Sequence, residues 1–193
     1  MELNKSCLES VAVVLPSLNP DHRFAAVAAG LIEAGFRHIV VVDDGSDEEH
    51  KRYFDELRGK DVCHVLVHEV NMGKGRALKD AFAYVHEKMP ELKGVVTIDG
   101  DGQHLLGDII ACGERMLREG DKVVMGCRDF SHPDVPPRSV AGNRITAAMF
   151  RLCYGIRITD RKRACGRSPQ NISNAFPSSK ASASNMKRTC SCR

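Results

Sequence analysis

The chain of 193 residues contains no apolar run long enough to cross a bilayer. Its first ten residues, MELNKSCLES, lack the charged-then-apolar layout of a signal peptide. No CxxC pair occurs, and Cys190 and Cys192 stand too close together for the usual zinc spacing. A disulfide or zinc framework is therefore not expected. Cys7, Cys63, Cys112, Cys127 and Cys153 are scattered, mostly inside apolar runs, and read as buried reduced thiols of a cytosolic protein. The GxxxxGK[ST] spacing of a P-loop is missing as well. Acidic residues are absent from 161–193, which hold Arg161, Lys162, Arg163, Arg167, Lys180, Lys187, Arg188 and Arg193.

That last absence changes the meaning of the formal net charge of +3, from 28 Lys+Arg against 25 Asp+Glu. With eight basic residues in 161–193, the first 160 residues carry 20 basic and 25 acidic side chains, a net of −5. An acidic body with a basic tail usually points to nucleic acid or a membrane surface. A genuine basic tail that binds nucleic acid or anionic lipid is one reading of it; frameshifted translation is the reading preferred, with no nucleic-acid partner expected. The length and 42% hydrophobic content suit one domain with a real core.

Short β-branched apolar runs alternate with helical periods along the body. Val11–Leu15 reads as a buried strand stopped by Pro16, and 39–42 (IVVV) as a second. Val62–Val67, Gly94–Ile98 and Lys122–Gly126 read as three more. Asp21 is placed to cap a helix carrying Phe24, Val27, Ala28, Leu31 and Ile32. Ser46 and Glu49 form a capping box for a helix reaching Arg58. After the Gly-rich turn Asn71–Gly75 a helix carrying Leu78, Phe82 and Val85 is expected, with further helices over Asp108–Arg118 and Arg138–Tyr154. This alternation predicts an α/β fold with a doubly wound, mostly parallel sheet, whose ligands bind beyond the carboxyl ends of the strands.

The polar motifs fall at those ends. Asp99-Gly100-Asp101 follows a strand, so two carboxylates one residue apart can converge on a hard divalent cation such as Mg²⁺ or Mn²⁺, which bridges nucleotide phosphates. A bare Asp-x-Asp is also a common solvated turn. Asp43-Asp44-Gly45-Ser46 ends the second strand and can accept hydrogen bonds from a base or ribose, or serve as a plain helix-start loop. The glycines around Lys74 in Asn71–Gly75 let a phosphate approach the backbone, or merely turn the chain. His104 is a candidate metal ligand or hydrogen-bond donor, and Arg128, Arg138 and Arg144 are candidate phosphate clamps. Each is equally at home as a surface residue.

Taken together and in order, PSLNP, VVVDDGS, NMGKGRAL, VTIDGDGQH, GCRDF and PPRSVAGNRI resemble family 2 glycosyltransferases of the GT-A fold, in the branch of dolichol- and polyprenyl-phosphate sugar transferases. The resemblance covers residues 11–160 and is much more specific for the family than for the sugar. It implies that Pro16, Leu18 and Asp44 line a nucleoside pocket with Asp43 adjacent, and that Lys74 lies near the nucleotide. It implies that Asp99 and Asp101 hold the metal and diphosphate beside Gln103, and that Arg128 and Arg138 face the donor sugar or the acceptor phosphate. Asp101, Arg128 and Arg138 are then the expected catalytic residues. The implied partners are a UDP- or GDP-linked sugar donor and a polyprenyl phosphate, at the cytoplasmic face of a membrane. Leu18 stands where the family usually has an aromatic, so base stacking there is weakened. Two other classes remain as alternatives: a non-catalytic nucleotide-binding remnant, and a signalling receiver domain, which also places acidic pairs at strand ends.

After GIRITD the family continues with a segment like DTQTGLR, whereas this chain reads DRKRACGRSP. The codons GAC ACG CAA ACG GGC CTG CGG GCG ATC CCC encode DTQTGLRAIP. Deleting one A from the first Thr codon makes them read DRKRACGRSP, the sequence of residues 160–169. Farther on, KASASNMKRTCSC can be back-translated so that the neighbouring frame reads KGERFEYETNMLL, again in family order. Residues 161–193 are therefore expected to be frameshifted translation that stays outside the fold, leaving a C-terminally truncated domain over 1–160. With seven serines and few apolar residues, the stretch has too little surface to bury to order itself.

Overall fold

A computed structural model describes residues 5–120, 124–125 and 165–167. It contains α1 (Lys5–Ser10), β1 (Val11–Ser17), α2 (His22–Glu33), β2 (His38–Asp43), α3 (Glu48–Arg58) and β3 (Cys63–Val67). These are followed by α4 (Lys74–Lys88), β4 (Gly94–Thr97), α5 (Leu106–Glu119), β5 (Val124–Met125) and β6 (Cys165–Arg167). The six strands form one sheet in the order β3-β2-β1-β4-β6-β5. The pairs β1–β2, β1–β4 and β2–β3 are parallel, whereas β6 runs antiparallel to both β4 and β5.

Burial on both sheet faces explains why the parallel strands read as continuous apolar runs. Side chains alternate across the sheet with a period of two. Val11, Val13, Leu15, Ile39 and Val41 face Phe24, Leu31, Phe54, Ile109 and Met116. Ala12, Val14, Val40 and Val42 face Ala77, Ala81 and Val85 of α4. Fully burying a side chain the size of Phe24 or Leu15 contributes about 1.5–3 kcal/mol.

Several local details differ from the sequence expectations. Pro16 lies inside β1, paired with Val42, rather than in the loop after it. Proline is tolerated there because β4 pairs with β1 only as far as Val14, so no ladder donor on that side is lost. The helix α1 was not anticipated, since six residues are too few for a periodic signal. The expected capping box does not form: α3 starts at Glu48 after Asp47, without a side-chain cap. Ser46 Oγ instead accepts the Asn19 N–H at 2.8 Å, because the loop after β2 lies against the loop after β1 at the sheet edge. Asp21 caps α2 as expected, accepting the Arg23 N–H at 2.9 Å. Strand β6 falls inside the stretch expected to stay outside the fold. Strand pairing uses backbone groups alone, so it can form where side chains supply little apolar surface. The expected helix over Arg138–Tyr154, Asp160 and all but three residues of 161–193 lie outside the described residues.

The chain runs outward from β1 through β2 to β3, then returns to β4 on the other side of β1. The reversal makes a switch point at the carboxyl ends of β1 and β4, where a crevice opens in folds of this kind.

Candidate active site

Three loops meet at that edge. The first, after β1 and β2, is held by its own polar groups. Asp43 and Asp44 are 1% and 4% exposed, unusual for carboxylates. Asp43 Oδ1 accepts the Ser46 N–H at 2.8 Å, while its Oδ2 is buried without a partner. The Asp44 N–H donates to Ser17 O at 2.9 Å, which ties the end of β2 to the end of β1. Asn19 and Asp47 exchange two bonds, Asp47 N–H to Asn19 Oδ1 at 2.9 Å and Asn19 Nδ2 to Asp47 Oδ2 at 3.0 Å.

The second loop, 68–73, lies against the first. Asp44 Oδ1 faces His68 Nδ1 at 2.7 Å and accepts the Met72 N–H at 3.0 Å. Burial pushes the Asp44 pKa up, but the His68 contact and the Met72 and Gly73 N–H groups outweigh it, holding the carboxyl below its ordinary value. Gly45, at φ +82, lets the two loops touch: a Cβ there would stand 2.4 Å from Asn71 N. Around this contact Leu18, Val70 and Met72 are exposed, Leu18 by 44%. They give an otherwise polar edge its apolar surface.

The third loop begins at Asp99. Lys74, the first residue of α4, forms an ion pair with Asp99 across the edge, both side chains being substantially exposed. Asp101 Oδ1 accepts the Gln103 N–H at 3.0 Å, a tight turn that presents the carboxylate at the rim. Gly100 packs against Phe24, since a Cβ there would come within 2.7 Å of the ring. Arg23 bonds Asp21 and feels the charge of Asp101, and both carboxylates help keep its guanidinium protonated.

The structure therefore brings Asp43, Asp44, Lys74, Asp99, Asp101 and Gln103 to one edge, with Pro16 and Leu18 at the end of β1 beside them. Arg128, Arg138 and Arg144 lie outside the described residues. Motif reading missed His68, Asp80, Arg23 and Asn19. Only Asn19 carried a signal, as the polar residue of PSLNP that takes the positive φ of 48°.

Four carboxylates on one edge repel a diphosphate unless cations intervene. Lys74 already sits against Asp99, so this carboxylate attracts a cation. Asp99 and Asp101 supply two hard oxygen donors that fit Mg²⁺ or Mn²⁺, with phosphate oxygens and water left to complete the shell. Among the described residues no group of three or more His, Cys, Asp or Glu could hold a metal by itself. No helix among them is long and apolar enough to cross a membrane.

The family model described as "Glycosyl transferase family 2" matches residues 12–169. An uncharacterized protein of Methanocaldococcus jannaschii is 31% identical over 127 residues, covering 66% of this chain and 49% of its own length. The UDP-N-acetylglucosamine–dolichyl-phosphate N-acetylglucosaminyltransferase of Methanococcus voltae is 23% identical over 167 residues, covering 78% of this chain and 65% of its own. The chain thus spans about half to two thirds of these curated relatives. Among solved structures, glucosyl-3-phosphoglycerate synthase from Mycobacterium tuberculosis, in complex with Mn²⁺, UDP and phosphoglyceric acid, superposes with a TM-score of 0.54 at 20% identity, over 83% of this chain and 56% of that one. S. aureus TarS (residues 1–349) gives a TM-score of 0.54 at 18% identity, over 90% and 52%. These likenesses establish the fold.

Proposed function

The chain belongs to glycosyl transferase family 2, and from that membership we propose that it transfers a sugar from a nucleoside-diphosphate donor to a polyprenyl phosphate. The observation that carries the reading is the Lys74–Asp99 pair beside Asp101, on the same edge as the buried Asp44. A phosphate-seeking ammonium, a cation-seeking carboxylate pair and a nucleoside-seeking carboxylate are the parts such a donor needs. UDP is favoured over GDP as the donor nucleotide by the name of the Methanococcus voltae relative and by the UDP complex among the similar structures. The Methanococcus voltae relative also supports the polyprenyl-phosphate acceptor, and the Mn²⁺ complex supports a divalent ion at Asp99 and Asp101.

In this reading Asp44 and Asp43 orient the nucleoside, with Pro16 and Leu18 lining the same pocket. Lys74 moves from Asp99 to the diphosphate and stabilises the charge that gathers there as the sugar leaves. Asp99 and Asp101 would hold Mg²⁺ or Mn²⁺, which would supply further electrostatic stabilisation of developing phosphate charge. Gln103 keeps Asp101 turned to the rim through its N–H bond. A phosphate oxygen of the acceptor attacks the anomeric carbon from the opposite face. The bond from that carbon to the diphosphate breaks, its electron pair leaves with the nucleoside diphosphate, and the configuration inverts. The attacking oxygen is already anionic, so no strong general base is required. Arg128 and Arg138 are assigned to the donor sugar or the acceptor phosphate.

The test is a thermal-shift panel of UDP- and GDP-sugars on the full chain, with and without Mn²⁺, followed by assay of nucleoside diphosphate release. Metal-dependent stabilisation with release on adding a polyprenyl phosphate is expected. Binding without turnover would instead identify a nucleotide-binding remnant, and no binding to any sugar nucleotide would end the proposal. We further propose that the reading frame slips after Asp160, supported by the fact that residues 160–169 can be back-translated so that the neighbouring frame reads DTQTGLRAIP. Resequencing through those codons decides it: an intact frame with no legible TGLR in the neighbouring frame refutes the slip.

A further inference from the structure

One side chain at this edge has no part in the scheme above, yet it is among the best-bonded there. His68 follows β3 directly, and its N–H donates to Asp43 O at 2.8 Å, continuing the β2–β3 pairing by one residue. Its side chain is 10% exposed. Ring Nδ1 meets Asp44 Oδ1 at 2.7 Å, and ring Nε2 meets Asp80 Oδ2 at 3.1 Å, on the second turn of α4. Arg76 Nε donates to the same Asp80 oxygen at 2.7 Å.

We propose that His68 is a positioning residue, which fixes the Asp44 carboxylate for the nucleoside of the donor. The inference rests on the glycosyl-transfer reading and deepens it. Carboxylates only accept, so the contact with Asp44 is an N–H donated by ring Nδ1. With His68 and the Met72 N–H both on Asp44 Oδ1, turning the carboxylate breaks two bonds at once. The direction of the other oxygen is thereby set before any ligand arrives, which lowers the ordering cost of binding. The same ring lies against Asp80 of α4 through Nε2. The close approach of Gly45 to Val70 and Asn71 holds the two loops together independently of His68, so its loss loosens the carboxylate without opening the loops.

Two substitutions separate the contacts. His68→Asn keeps a donor at the reach of Nδ1, and His68→Gln keeps one at the reach of Nε2. Titration calorimetry on the full chain compares UDP, GDP and pyrophosphate, each with Mn²⁺. For whichever nucleotide wild type binds, His68→Gln is expected to weaken affinity about tenfold, the size of one lost hydrogen bond to a charged group. His68→Asn is expected to stay within about threefold of wild type, and pyrophosphate affinity to be unchanged in both variants. A merely structural role would lower all three affinities in step with thermal stability and would not be rescued by Asn. Equal nucleotide binding by His68→Gln and wild type overturns this inference alone. Wild type that binds neither nucleotide overturns the glycosyl-transfer reading and this inference with it.

Discussion

Gly45→Ala tests the contact on which the site is built. Gly45 has a φ of +82, and a Cβ would stand 2.4 Å from both Asn71 N and Val70 C and 2.8 Å from Val70 Cα. These are backbone atoms, so no rotamer change relieves the clash. Forcing an L-residue into this conformation costs about 1–2 kcal/mol. Displacing a packed segment adds about 1–3 kcal/mol. The sum, about 2–5 kcal/mol, is a large share of the roughly 5–15 kcal/mol that holds a domain folded. Gly35→Ala is the internal control: it ends α2 with a φ of +91, and the added carbon meets only Leu8 Cδ1 at 3.6 Å, an ordinary contact. Only the conformational cost of about 1–2 kcal/mol applies there. Urea unfolding of both variants should show Gly45→Ala less stable than Gly35→Ala by about 1–3 kcal/mol at unchanged m-value. Equal losses, or a larger loss at Gly35, would refute the backbone contact between the two loops.

Lys74→Met should move two affinities in opposite directions: Mn²⁺ alone binds a few-fold tighter once the ammonium no longer competes for Asp99, while UDP with Mn²⁺ binds more weakly. The first change is small because an exposed ion pair is worth about 0.2–1 kcal/mol; calorimetry that finds both affinities falling would refute the competition. Gly100→Ala should cost about 1–3 kcal/mol by overpacking against Phe24, whose ring is itself pinned by Phe54 at a centroid distance of 5.3 Å. Chemical denaturation with no loss of stability would disprove that packing. The folded pKa of Asp44 is depressed, so its contribution is complete above the unfolded value of about 3.9 and fades as pH falls through the lower folded value. The stability gap between wild type and Asp44→Asn should therefore be constant from pH 7 to about 5 and narrow below about 4. A gap that instead narrows toward neutral pH would contradict the sign.

The parallel strands, the order of helices and strands, and the carboxyl-edge motifs were legible in the sequence because each depends on local pattern. VAVVL and IVVV can be little other than strands buried on both faces. Asp99 and Asp101 follow a strand by direct succession, so their place at the sheet edge required no tertiary information. The capping box at Ser46 failed for the converse reason: its spacing was right, but Asn19, 27 residues earlier, took the hydroxyl. The Arg128 and Arg138 assignments were read from motif order, and they lie outside the described residues.

By itself, then, the sequence determined the α/β architecture, the family and the loops that carry the polar residues, since periodicity and motif order are properties of neighbouring residues. Only the tertiary structure decided which of those residues touch. Lys74 meets Asp99 across 25 positions, and Asp44 meets His68 across 24. Parallel strands force that distance, because each must return through a crossover helix before the next can begin. Residues far apart in the chain thus converge at the carboxyl ends, where a buried carboxylate must find its partner in another loop.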